Sequence, residues 1–121
     1  MSPEAANICL IDDMRVVIDG MKSIFDTSDH TVVLTAMTPE EGLKAVDEFK
    51  KLKVQVVILD TKLVFGDFKG VESGKILEKI REVAPDVKVI SVSSGETLEG
   101  ADVKLYKTFS REEIIDIVNN I

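Results

Sequence analysis

Val54-Gln55-Val56-Val57-Ile58-Leu59-Asp60 decides the fold. Five of the six residues before Asp60 are apolar, in a run too short for a helix and with almost no polar alternation. Such a run reads as a central strand of a parallel sheet, covered on both faces. It ends in a carboxylate, and the carboxyl ends of strands are where open parallel sheets bind ligands. Taken alone, Asp60 is equally well read as a functional group or as the cap of a following helix.

Outward from this strand, strands and helices alternate. Ile8–Ile11 is a short apolar strand ending at Asp12-Asp13. Met14–Phe25 carries apolar residues at 14, 17, 18, 21, 24 and 25, which is helical spacing, and Asp13 is placed to cap it. Thr31–Ala36, rich in β-branched residues, is a second strand. Thr38-Pro39-Glu40-Glu41 opens a helix with a capping hydroxyl, Pro at the first position and acids in the first turn. That helix is predicted to run to about Lys51, with Leu43, Val46 and Phe49 inward. After the third strand, Val54–Leu59, a helix over Ser73–Val83 turns Ile76, Leu77, Ile80 and Val83 inward and stops before Pro85. Val87–Val92 and Val103–Tyr106 are the fourth and fifth strands. Ser110-Arg111-Glu112-Glu113 is a capping box opening the last helix, with Ile114, Ile117, Val118 and Ile121 on its apolar face.

This order implies parallel strands, right-handed crossovers and a doubly wound α/β fold. A flavodoxin-like five-stranded sheet of order 2-1-3-4-5 is the natural solution. Thirteen residues, two of them glycine, separate Ser93 from Lys107. They admit at most a single turn over Glu96–Glu99, so the helix between the fourth and fifth strands is shortened or missing. The loop Thr61–Glu72 is long, and Val64, Phe65 and Phe68 in it are either a partner surface or a lid.

The 121 residues, 45% of them apolar, suffice for one domain with one core. With 22 acidic against 15 basic residues the net charge is −7, which disfavours nucleic acid as a direct partner. No apolar run reaches membrane-spanning length, and Met1–Asn7 lacks the regions of a secretion signal, so a cytoplasmic protein is expected. Cys9, the single cysteine, sits in an apolar strand and reads as a buried thiol. His30, the single histidine, lies in the polar turn Ser28-Asp29-His30 and is expected to be exposed.

The strand order brings Asp12, Asp13 and Asp60 to one sheet edge. Three carboxylates there repel one another, and a hard divalent cation such as Mg²⁺ would offset the repulsion. Ser93 closes the fourth strand and Lys107 the fifth. Each has a bland reading: helix caps for the acids, a Ser-Ser-Gly turn for Ser93, a surface lysine for Lys107. Together those readings leave unexplained why the polar groups share one edge.

Two acids, one acid, one hydroxyl and one lysine, from four strand ends in this order, strongly resemble the receiver domain of two-component response regulators. The resemblance covers the chain from Ile8 to Ile121, so residues 1–121 are expected to form a single receiver domain. It implies that Asp60 is the phosphoacceptor, attacking the phosphohistidine of a sensor histidine kinase or a phosphotransfer protein. It also implies that Asp13 binds Mg²⁺ directly, Asp12 mainly through water, and Lys62 through its backbone carbonyl. Lys107 would place an ammonium on a phosphoryl oxygen, and Ser93 would hydrogen-bond the phosphoryl group once formed. Such a chain catalyses its own phosphorylation and slow dephosphorylation rather than turning over an external substrate. With no output domain following, readout is expected through an unknown downstream protein or a phosphorelay, unless the chain is a piece of a larger protein.

The sequence departs from the family at several positions. Thr108 follows Lys107 where the family has Pro in a cis peptide; cis costs about 2.5–4 kcal/mol before a non-proline residue, which leaves a trans bond open. Lys104 occupies the usual site of the switch aromatic, and Tyr106 lies two residues on. These departures support an alternative, a degenerate receiver that binds proteins without being phosphorylated. A haloacid-dehalogenase-type phosphatase would share the nucleophile, hydroxyl, lysine and acids, but places a general-acid Asp where Lys62 stands.

Overall fold

In the computed structural model, described over residues 5–63, 71–95 and 98–121, the apolar runs pair as parallel strands. They are β1 (Asn7–Ile11), β2 (Thr31–Ala36), β3 (Val56–Asp60), β4 (Lys88–Ser93) and β5 (Val103–Tyr106), in the order β2-β1-β3-β4-β5. Every residue of β3 is buried, as its unbroken apolar run requires. Alternate side chains go to opposite faces. Cys9, Ile11, Val57, Leu59 and Val89 pack beneath Val46, Phe49, Ile76 and Ile80. On the other face Ile8, Leu10, Val56, Ile58 and Ile90 meet Ile18, Met21, Phe25, Ile114 and Val118. The helices bringing those residues are α1 (Arg15–Asp26) and α5 (Arg111–Asn120) on this second face, and α2 (Pro39–Val46), α3 (Phe49–Leu52) and α4 (Val71–Val83) on the first. The doubly wound, flavodoxin-like expectation holds. Burial pushes the Cys9 thiol up to about 12, keeping it an inert core group.

Local signals hold where the partners are close in sequence. Thr38 Oγ1 accepts from Glu41 N–H at 3.1 Å. Both bonds of the Ser110–Glu113 capping box form. Asp13 does not cap α1: Met14 is the residue at the cap position and makes no side-chain cap bond, and Asp12 Oδ1 takes the Met14 N–H at 2.9 Å. The helix expected to reach Lys51 breaks after Val46. Lys79 of α4 fills the break, donating to Leu43 O at 2.6 Å and pairing with Asp47 at 3.1 Å.

His30 corrects the exposed assignment. It is 5% exposed, its Nδ1 accepts from Ala6 N–H at 3.0 Å, and its Nε2 lies 2.7 Å from Asn119 Oδ1. The neutral Nε2–H tautomer satisfies both bonds. The histidine thereby ties the start of β1 to the end of α5.

Between β4 and β5 the chain forms no helix among the described residues; the expected turn at Glu96–Glu99 falls partly outside them, as do Val64, Phe65 and Phe68. Leu98 plugs the core where that helix would lie, packed with Leu77 and Ala101. Arg81 of α4 pins the crossing, donating to Val87 O, Gly100 O and Asp102 Oδ2 at 3.1, 2.7 and 2.9 Å. Burial raises the Asp102 carboxyl, but the Val89 N–H and Arg81 outweigh it and hold the group below the usual range. No helix of the described residues is long and apolar enough to cross a membrane.

Lys53, ending α3, has φ 55° and ψ 43°, a left-handed conformation that suits glycine. Lys53→Gly is expected to stabilise the protein by about 0.5–1 kcal/mol, read as a higher urea midpoint at unchanged slope.

Candidate functional site

β1 and β3 are neighbours, and their pairing ends at Ile11 opposite Leu59. The next residues are Asp12 and Asp60, so the acids emerge side by side. Carboxylate oxygens of Asp12, Asp13 and Asp60 all lie within 4.8 Å of one another. Asp12 and Asp60 are 4% and 2% exposed, whereas Asp13 is open to solvent. Lys107, one residue past β5, reaches Asp60 Oδ1 at 3.3 Å, and its backbone N–H is held by Ser93 O at 2.8 Å. Ser93 is buried at the end of β4, one residue beyond Val92, the register partner of Asp60. Lys62 donates its N–H to Asp60 Oδ1 at 3.2 Å. The structure therefore brings the sequence-predicted residues to one edge.

The electrostatics are unbalanced. Burial and the charge of Asp12 push Asp60 up to about 6, although the Lys62 N–H and Lys107 pull it down. Burial likewise raises Asp12, against the Met14 N–H and Lys107. Asp60 Oδ2 is buried without a hydrogen-bond partner among the described residues. A buried, unpartnered carboxylate oxygen among three acids matches what a hard cation with oxygen ligands needs.

Two polar residues here escaped the sequence reading. Ser73, fully buried, donates its hydroxyl to Asp60 O at 2.5 Å. Its signal was a polar residue on the inward stripe 73, 76, 77, 80. Thr61 is buried with its hydroxyl unpartnered among the described residues, and nothing in its spacing marks it. The peptide bonds of the described residues, Lys107–Thr108 included, are trans. Tyr106 is 63% exposed on the outer strand, and Lys104 pairs in register with Ser91.

The sequence profile of the response regulator receiver domain matches residues 8–119. The chain belongs to this family. Among relatives of this receiver, the transcriptional regulatory protein MctR of Rhizobium johnstonii is 26% identical over 123 residues, covering 94% of this chain and 54% of that protein. The transcriptional regulatory protein YvrH of Bacillus subtilis is 24% identical over 115 residues, covering 92% and 46%. The receiver thus spans about half the length of these relatives. Among solved structures, a CheY-like receiver domain from Methanospirillum hungatei superimposes with a TM-score of 0.76 at 26% identity, covering 95% of this chain and 91% of that one. The Borrelia burgdorferi CheX–CheY–BeF₃–Mg²⁺ complex gives 0.73 at 23% identity, covering 93% and 86%, a likeness of fold. The chain is the receiver domain of a two-component response regulator.

Proposed function

We propose that this receiver takes a phosphoryl group onto Asp60 from a sensor histidine kinase or phosphotransfer protein, and then presents a changed surface to a downstream protein. The Asp60 carboxylate carries this reading. Its Oδ1 is held by Lys62 N–H and Lys107 Nζ, while its Oδ2 is buried with its lone pairs uncommitted. With its ionisation displaced only to about 6, the group is mostly charged at pH 7 and needs no general base. An Asp60 oxygen attacks phosphorus as the bond from phosphorus to the donor imidazole breaks, and the departing nitrogen takes up a proton.

Asp13 and Asp60 directly, Asp12 through water and the Lys62 carbonyl would hold Mg²⁺, which when bound neutralises charge on the phosphoryl oxygens. Lys107 keeps a point charge at the oxygen it already holds. Ser93 offers its hydroxyl to the phosphoryl group once formed, and that new bond biases the loop after β4. A donor protein must dock beside Asp60. A groove of about 250 Å³ lined by Val16, Val17, Met21, Val92 and Phe109 opens on the far side of Lys107, the lysine that reaches Asp60.

The net charge of −7 argues against nucleic acid on this chain's own surface, whereas its relatives are named as transcriptional regulators. In a whole protein of their length, output through DNA would therefore rest on other segments.

Intact mass after incubation with acetyl phosphate tests the proposal. One added phosphoryl group that requires Mg²⁺ is expected. The absence of both an adduct and Mg²⁺ binding would establish the second reading, a phosphorylation-independent binding module. The lack of a helix between β4 and β5 among the described residues and the outward Tyr106 favour that reading.

Lys62 flanks the acceptor, where it shields the acyl phosphate from attacking water. Lys62→Ala is expected to shorten the phosphorylated lifetime about two- to fivefold, a barrier change of about 0.5–1 kcal/mol. A time course of phosphoryl loss by mass checks this, and an unchanged or longer lifetime refutes it.

A further inference from the structure

The peptide joining Asp60 to Thr61 is gripped from both sides. Its N–H, on Thr61, donates to Val92 O of β4 at 2.9 Å. Its carbonyl, on Asp60, points the opposite way, towards β1. There the ladder has already ended, because Ile11 and Leu59 are the last paired residues. The next β1 residue, Asp12, turns its N–H the other way, to Ala36 O of β2 at 3.1 Å, and so offers the Asp60 carbonyl no donor. The Ser73 hydroxyl, reaching in from the first turn of α4, fills that position at 2.5 Å.

The orientation of this peptide sets two things at once. It fixes the direction in which the Asp60 side chain leaves the backbone. It also fixes the following peptide, whose Lys62 N–H is bonded to Asp60 Oδ1. We infer that Ser73 is a positioning residue for phosphoryl transfer: by clamping the Asp60 carbonyl it holds both the nucleophilic carboxylate and the Lys62 peptide in register with the acidic cluster. The inference rests on the function proposed above and adds to it a residue on α4, thirteen positions from the acceptor. Without the hydroxyl, the peptide keeps its bond to Val92 but can rock about it, because nothing holds the carbonyl side. Displacements of this kind near reacting atoms are expensive in rate.

The test compares wild type, Ser73→Ala, Ser73→Cys and Val118→Ala in the full chain. Val118 lies in the core near the end of α5, away from the acids, and serves as a control for simple loss of stability. Phosphorylation by acetyl phosphate at saturating Mg²⁺ is followed by intact mass, and Mg²⁺ affinity is measured by calorimetric titration. Ser73→Ala is expected to lose roughly tenfold in rate and several-fold in Mg²⁺ affinity. Ser73→Cys, with similar volume and a weaker donor, should fall between it and wild type. Val118→Ala should melt earlier with neither quantity changed. If Ser73→Ala does not fold, the Cys variant decides. Wild-type rate and affinity in a folded Ser73 variant overturn the role of Ser73 alone. A wild type that takes no phosphoryl group overturns the proposed function and this role with it.

Discussion

Asp60→Asn should abolish phosphoryl uptake and, in metal-free solution at pH 7, make the protein melt at a higher temperature. The first effect follows from removing the nucleophile. The second follows from the strain of the acidic cluster. Burial and the charge of Asp12 push Asp60 up to about 6 in the fold, from the ordinary carboxylate value of about 4. Between those values the folded state binds the proton and the unfolded state does not. Stability therefore falls as pH rises from about 4 to about 6 and stays low above it, a linkage of ~3 kcal/mol at neutral pH. Asparagine keeps an acceptor for Lys62 N–H and Lys107 but carries no charge, so it escapes most of that penalty. Allowing for the weaker Lys107 contact, we expect a gain of about 2 kcal/mol, or roughly 8 °C in melting temperature. Thermal melts from pH 4 to 8 with chelator present check the sign. Wild type should lose stability across the window, and Asp60→Asn should show a flatter profile. A variant that melts below wild type at pH 7 would refute this account of the cluster. Adding Mg²⁺ should stabilise wild type more than the variant, since ligand binding to the folded state alone raises stability.

His30→Leu is expected to cost about 3 kcal/mol while leaving the acidic edge untouched. Leucine occupies similar space but leaves Ala6 N–H without its acceptor and Asn119 Oδ1 without its donor. A buried group left unpaired, such as Ala6 N–H, costs about 1–3 kcal/mol, and the partly buried Asn119 Oδ1 adds a smaller share. The ring also meets Phe25 edge-on, with centroids 6.3 Å apart, and that contact is lost as well. His30 precedes β2, at the end of the sheet opposite Asp60, so phosphorylation rate and Mg²⁺ affinity should not change. Urea unfolding gives the magnitude. A double-mutant cycle with Asn119→Ala should show coupling of about 1 kcal/mol, and strict additivity would mean that the bond contributes nothing.

The two residues also mark what a sequence can convey. Asp60 was legible because the end of an unbroken apolar run fixes where a side chain emerges, and strand order then sets its neighbours. Thr38 and Ser110 were legible because their partners lie three residues on. His30 was not, since its polar neighbours Ser28 and Asp29 suggest solvent, while its real partners are 24 and 89 positions away. The break after Val46 was hidden for the same reason, as the ammonium that fills it comes from Lys79. Asp13 was a plausible cap by position, yet Asp12 takes the bond because Asp13 points to solvent. Ser73 escaped the reading although it stands as a polar residue on an apolar stripe, because only the end of the β1–β3 ladder gives it a purpose.

The place of β5 at the end of the strand order has a consequence for self-association. β5 is an outermost strand with one row of backbone groups unpaired, the kind of edge that recruits a strand from another molecule. Four residues make it too short to template a long ladder. Lys104, in its interior, sets an exposed ammonium along that edge and pairs with Glu99 at 3.7 Å. The lysine standing where the family carries a signalling aromatic thus doubles as a guard against edge-to-edge aggregation.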